Sequence, residues 1–192
     1  MAAMSSLLHL VVASLADPLD RSAFERAVEF ARSLCQAPGV RQQSIGWSDH
    51  QLVVATMLGA SDDLDQFVAS EQHMRFVMHG LAPIISGMWS TAIEAGNATT
   101  APDAARLWAF ALPEREGVYE WQVRQFLDDA ASLGDGAIVG VTIEERERFR
   151  AGGLVSFNAA TEDVAERTAA ARRRWAALGG ELEDALVDAH RP

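Results

Sequence analysis

The sequence predicts an α+β fold in which one β-α-β-β-α-β unit occurs twice along the chain. Three observations lead to this prediction. Short Val- and Leu-rich segments alternate with longer segments of helical apolar spacing, the same element order returns after residue 104, and a stretch poor in core-forming residues separates the copies. This element order is that of ferredoxin-like folds. We expect one ferredoxin-like unit at 1–95, a linker at 96–104, and a second, degenerate unit at 105–192.

The first unit begins with a strand and a helix whose limits are marked by local signals. Leu7 to Ser14 is apolar on both faces, which predicts a strand buried on both sides. Asp20 is a suitable N-cap for the following helix, and Pro38-Gly39 ends it. The remaining segments predict a hairpin, a helix capped by Ser61, and a closing strand: 40–58, 61–81 and 84–93.

The second unit repeats this order with weaker signals. Thr161, followed by Glu162 and Asp163, resembles the earlier helix start at Ser61. The predicted elements are a strand, a helix, two hairpin strands, a helix and a final strand: 105–112, 118–131, 136–144, 152–158, 161–178 and 181–189.

Two copies in one chain solve a burial problem. A four-stranded sheet covered by helices on one side leaves its other apolar face open to water. Packing the two sheets face to face would cover both and enclose a barrel interior, which is either filled by side chains or hollow enough to hold a small molecule. The alternative is that each half pairs with a second chain. The short linker favours the intrachain barrel, and a homodimer of the whole chain is compatible with either arrangement.

Composition excludes several classes of protein. The chain has 192 residues, 49% of them hydrophobic, so a substantial core is expected. The net charge of −11 repels phosphate backbones and argues against a nucleic-acid partner. No apolar stretch reaches the ~20 residues of a membrane span. A lone Cys35 fits a reducing compartment, and we expect a cytoplasmic protein.

The first half resembles the stress-responsive dimeric α/β barrel (Dabb) family from about Leu7 to Ala95. The residues that carry the resemblance lie on strands one and three, after helix one, and along the second helix: Leu8-His9-Leu10-Val11-Val12, Pro38-Gly39-Val40, Leu52 to Thr56, Phe67 to His73, Phe76 and Leu81-Ala82-Pro83. The second half resembles this unit only in element order and in the Thr161 cap.

The resemblance implies a barrel with a cavity between sheet and helices. Family members include stress-induced proteins and cofactor-free polyketide cyclases, and relatives include small monooxygenases. His9 and His73 match two pocket-lining histidines of the cyclase-like members. Phe67 stands where those members have a catalytic tyrosine, and Ser70 to His73 keeps only the last residue of their His-Pro-x-His stretch.

Two histidines are the candidate catalytic residues. An imidazole in an apolar cavity stays neutral, so His73 could act as a general base with His9 assisting as an orienting donor. The alternative for each is an ordinary core histidine. Phe67, Trp89 and Trp108 are the candidate ligand-binding aromatics, and core packing is the alternative for both tryptophans. No metal and no cofactor are expected, because no group of His, Cys, Asp or Glu has ligand spacing.

Three functions are compatible with these patterns. The first is a small-molecule-binding protein of the stress-responsive barrel family, with a small hydrophobic or aromatic ligand inside the barrel. The second is a cofactor-independent enzyme, polyketide cyclase-like or monooxygenase-like, that uses His73 as base. The third is an assembly protein with a solid barrel.

Overall fold

The computed structural model describes residues 6–96, 104–143, 148–158 and 161–190. The predicted linker lies outside the described residues, apart from its two end positions. The first unit contains four strands and three helices: β1 Ser6–Leu15, α1 Arg21–Ser33, β2 Val40–Trp47, β3 Gln51–Leu58, α2 Asp63–Val68, α3 Glu71–Arg75 and β4 Ile85–Gly96. A 3-10 turn, Leu34–Gln36, follows α1, and a π-helical turn, Phe76–Leu81, continues α3.

The second unit repeats the order with two helices: β5 Arg106–Pro113, α4 Glu120–Ala131, β6 Gly136–Val141, β7 Phe149–Phe157, α5 Thr161–Ala177 and β8 Glu183–His190. The predicted fold class, α+β with two ferredoxin-like units, is confirmed.

Local signals explain most of the helix boundaries. Asp20 caps α1 as expected, because its side chain accepts hydrogen bonds from the amides of Ser22 and Ala23. The prediction for α2 was wrong by one residue. Asp62 rather than Ser61 is the N-cap, and its side chain makes no capping bond; the Asp63 carboxylate instead accepts from the Ala60 amide at 3.0 Å.

The eight strands form one antiparallel sheet in the order β4-β1-β3-β2-β8-β5-β7-β6. Strand β2 joins the units through β8, where Ile45 pairs with His190 and Trp47 with Asp188. At the other side a bridge between Ile93 and Thr142 brings β4 to the end of β6. The sheet therefore closes almost completely into a barrel within one chain. The alternative, in which each half pairs with a second chain, is therefore wrong, whereas a homodimer of the closed barrel stays a prediction.

A glycine stands at each seam of the barrel, in the penultimate position of its strand. A Cβ on Gly46 would lie 2.6 Å from Val187 Cγ2 and 2.7 Å from the Asp188 carbonyl oxygen, and a Cβ on Gly140 would lie 2.2 Å from the Glu94 carbonyl oxygen. Only glycine lets the backbones of the two units approach this closely.

The structure corrects the prediction that the pocket lies inside the barrel. In the described residues, the interior is a packed core to which both units contribute large side chains and two alanines each. Its members include Leu8, Leu10, Val12, Val53, Met57, Ala109, Leu154, Ala185 and Val187. Because side chains alternate along a strand, the residues between these on β1 face the helices instead.

None of the described helices is both long enough and apolar enough to cross a membrane.

Candidate functional site

A cavity of about 340 Å³ lies between the outer face of the sheet and the helices of the first unit. The strands β1 and β4 form its floor with His9, Val11, Ser90 and Ala92. The helices form its roof, and the lining residues follow helical spacing: Leu64, Val68, His73, Val77 and Leu81. Half-exposed Met88 marks the rim. The lining is apolar except for two imidazoles and one hydroxyl, which is the usual composition of a small-molecule pocket.

His9 reaches the cavity because of its place on β1. Leu8 and Leu10 point into the barrel core, so the side chain between them points to the helices. Its neighbours in register are Thr56 on β3 and Ala92 on β4. The position of the histidine within an apolar strand therefore places a polar group under the helical layer.

His73 is held by two contacts at the start of α3. Ser70 is the N-cap, and its hydroxyl oxygen accepts from the His73 amide at 3.2 Å. The ring atom Nδ1 lies 3.0 Å from the Val68 carbonyl oxygen. Because a carbonyl can only accept, Nδ1 carries the proton, and in the neutral ring Nε2 keeps its lone pair. His73 is thus fixed in the tautomer that accepts a hydrogen bond or a proton at Nε2.

Phe67 joins the two imidazoles into one cluster. Its ring centroid lies 5.4 Å from that of His9 and 5.0 Å from that of His73, and the two imidazole centroids are 5.8 Å apart. Phe67 is 0% exposed. It packs against both histidines, and its ring has no hydroxyl to donate. The structure thus brings together His9, His73 and Phe67 from three separate elements.

Burial keeps both imidazoles neutral. Burial, and to a smaller extent the charge of His73, lowers the pKa of His9 from 6.5 to about 4. Burial also lowers the pKa of His73, although the hydrogen bond to Val68 opposes the shift. Among the described residues that line the cavity there is no Asp, Glu, Lys or Arg. Near neutral pH the site is therefore uncharged, with at least one imidazole nitrogen free to accept a proton.

The two predicted tryptophans lie away from this cluster. Trp89 pairs with Val12, packs against the barrel core and lies 5.5 Å from the Phe149 ring. Trp108 is completely buried among the aromatic residues of the second unit, and its indole nitrogen donates to Asp184 at 2.5 Å. Neither ring lines the cavity that holds His9 and His73.

Sequence reasoning did not single out the apolar roof or Ser90. A signal was present for the roof, because Leu64 and Val68, and then His73, Val77 and Leu81, follow i, i+4 spacing. Nothing in the local pattern distinguishes Ser90 from other strand serines. In the part of the chain that the structure describes, no three His, Cys, Asp or Glu side chains could hold a metal ion.

Comparison with known proteins shows the fold. No protein-family model matches the chain, and no curated protein matches it. A solved anthrone oxidase-like protein is similar over 97% of this chain and 92% of that chain, with a TM-score of 0.61 and 13% identity. A candidate chlorite dismutase is similar over 98% of this chain and 96% of that chain, with a TM-score of 0.62 and 10% identity. A candidate monooxygenase from Fusobacterium nucleatum is similar over 100% of this chain and 94% of that chain, with a TM-score of 0.58 and 9% identity. At these identities the likeness establishes a ferredoxin-like dimeric α/β barrel fold and no activity.

Proposed function

We propose that the cavity of the first unit binds a small, uncharged, largely apolar or aromatic ligand that donates a hydrogen bond to Nε2 of His73. The observation that carries this proposal is the meeting of His9 and His73 in one apolar cavity. The affinity would come from burial of apolar ligand surface, and the orientation from the imidazole acceptor. This arrangement fits a small-molecule-binding protein of the Dabb type.

The absence of ionic side chains from the described cavity wall supports an uncharged ligand. A buried anion would find no cation among the described lining residues, and a buried cation would find no carboxylate. A neutral hydroxyl, by contrast, matches the lone pair on His73. The uncharged lining therefore favours neutral ligands over ions.

Three naphthalene probes test this proposal. We expect 1-naphthol to bind in calorimetric titration, naphthalene to bind more weakly, and 1-naphthoate to bind least. His73→Ala should lower the affinity for 1-naphthol about tenfold, because one desolvated hydrogen bond is lost. His79→Ala is the matched control, since His79 lies on the same helical segment but is exposed and does not line the cavity. Equal affinity for all three probes, or equal effects of the two variants, would count against the proposal.

A second candidate is a cofactor-independent enzyme in which His73 is the general base and His9 assists. The observation that favours it is the hydrogen bond from Nδ1 to Val68, which leaves Nε2 ready to take a proton from carbon. In that step the C–H bond next to a carbonyl breaks, its proton moves to Nε2, and the electron pair becomes an enolate. In D2O, a deuteron from the solvent would then bind to the carbon and give the substrate with deuterium in place of hydrogen.

Deuterium exchange separates binding from catalysis. The probe is 2-tetralone in D2O. Mass spectrometry measures the rate of deuterium incorporation with the protein and the spontaneous rate without it. Catalysis predicts exchange that His73→Ala abolishes and His79→Ala preserves. Binding of 1-naphthol without any protein-dependent exchange would leave only the binding function.

A further inference from the structure

Three polar side chains form a row across the outer face of the first sheet. Gln43 on β2 is directly opposite Thr56 on β3, and Thr56 is directly opposite His9 on β1. Directly opposed residues of antiparallel strands share a face and have Cβ atoms about 5 Å apart. The Gln43 side chain donates from Nε2 to the Ala31 carbonyl oxygen of α1 at 2.7 Å, so the row faces the helices.

The row contains an unpaired buried acceptor. Gln43 is 9% exposed and Thr56 is 1% exposed. Among the described residues, Oε1 of Gln43 is buried without a hydrogen-bond partner. An unpaired buried carbonyl is costly, and the hydroxyl group on the adjacent strand is the donor that the register places beside it.

We propose that Thr56 donates its hydroxyl proton to Oε1 of Gln43 and accepts a hydrogen bond from the N–H of neutral His9, so that Thr56 and Gln43 are positioning residues. A hydroxyl has one proton to give, and an amide oxygen can only accept. Once that proton is given to Gln43, the hydroxyl offers only lone pairs to His9. The bond needs only side-chain rotation, because the three Cβ atoms are already in one row.

The consequence is a defined tautomer for His9. Its single N–H is directed to Thr56, and its other ring nitrogen carries a lone pair. Under the proposed function, on which this consequence rests, a ligand would meet acceptors on both imidazoles. The role of His9 would then differ from the orienting donor that the sequence predicted.

The tautomer can be measured directly on the ligand-free protein. In long-range proton–nitrogen spectra of ¹⁵N-histidine-labelled protein near neutral pH, we expect one predominant tautomer for His9. Thr56→Val keeps the shape of the side chain but removes the hydroxyl, and should reduce the tautomer ratio about fivefold, the value of one hydrogen bond. Thr56→Ser retains the hydroxyl and should retain the ratio.

A second variant should reduce the same tautomer ratio by a different route. Gln43→Met removes the acceptor, so the Thr56 proton becomes free to point at His9 and should favour the other tautomer. This variant carries the test if Thr56→Val does not fold. An even mixture of tautomers in the unaltered protein, or a ratio that neither variant changes, would overturn the inference. Titration of 1-naphthol into the same samples reports on the proposed function independently.

Discussion

Trp108 occupies in the second unit the position that His9 holds in the first. His9 pairs with Thr56, two residues before the end of β3, and Trp108 pairs with Val155, two residues before the end of β7. Both side chains face the helices of their own unit. The indole fills this volume together with other aromatic side chains: Phe110, Phe126 and Trp175. The duplicated fold thus has a cavity at His9 in one half and a packed aromatic cluster in the other.

Removing the indole should therefore affect stability rather than binding. Trp108→Ala is expected to lower the free energy of unfolding by about 3–5 kcal/mol, because it leaves a large void and removes the hydrogen bond from the indole to Asp184. Denaturant titration measures this loss. The 1-naphthol affinity of the folded variant should be unchanged. Trp121→Ala is the control, since Trp121 is 62% exposed and its loss should cost little. A loss of naphthol binding in folded Trp108→Ala would place the binding site in the second unit instead.

The histidine at the cavity floor should make the free energy of unfolding fall in acid. The unfolded chain binds a proton at His9 below pH 6.5, whereas the folded protein does so only near pH 4, so the free energy of unfolding decreases as pH falls through this interval. The full contribution of a shift this large is roughly 3 kcal/mol. His9→Phe removes the titrating group, and its unfolding free energy should depend less on pH over this range than that of the unaltered protein. Parallel curves for the two proteins would show that His9 titrates normally when folded.

The affinity for the ligand should also fall in acid. Protonation of either imidazole would bring a charge into an apolar cavity and remove an acceptor for the ligand. Since the pKa values of His9 and His73 are both lowered, the affinity for 1-naphthol should be constant near neutral pH and decline only below the ordinary histidine pKa. Calorimetry across this range measures the profile. A decline centred at the ordinary histidine pKa would contradict the burial of the cluster.

Closure of the barrel should depend on the glycine of each seam. Gly46→Ala is expected to cost about 1–3 kcal/mol, since the new methyl group would overlap Val187 and the Asp188 carbonyl. Gly87→Ala on β4 is the matched control, because a Cβ there meets only Ser14 Cβ at 4.0 Å. Thermal unfolding of both variants compares the sites. Similar melting temperatures for the two would mean that the β2–β8 seam can open without cost.

The order of elements was predictable because each depends on local chemistry. The predicted strand Leu7 to Ser14 is within one residue of β1 at each end, and Asp20 caps α1 through bonds to amides two and three residues away. The matching of His9 and His73 with one pocket came from the family resemblance rather than from spacing.

The face of the sheet that carries the cavity could not be predicted from the strand pattern. Both faces of β1 are apolar, so Leu8 and Val11 are equivalent in the sequence although one lies in the barrel core and the other lines the cavity. The sequence by itself determined two sets of strands and helices, their order and the presence of a buried imidazole. Only the tertiary structure decided that apolar side chains of the second unit, among them Leu107 and Leu154, share a core with one face of β1. That packing fills the barrel and leaves the free volume under the helices, because a side chain can contact only the layer to which its strand position directs it.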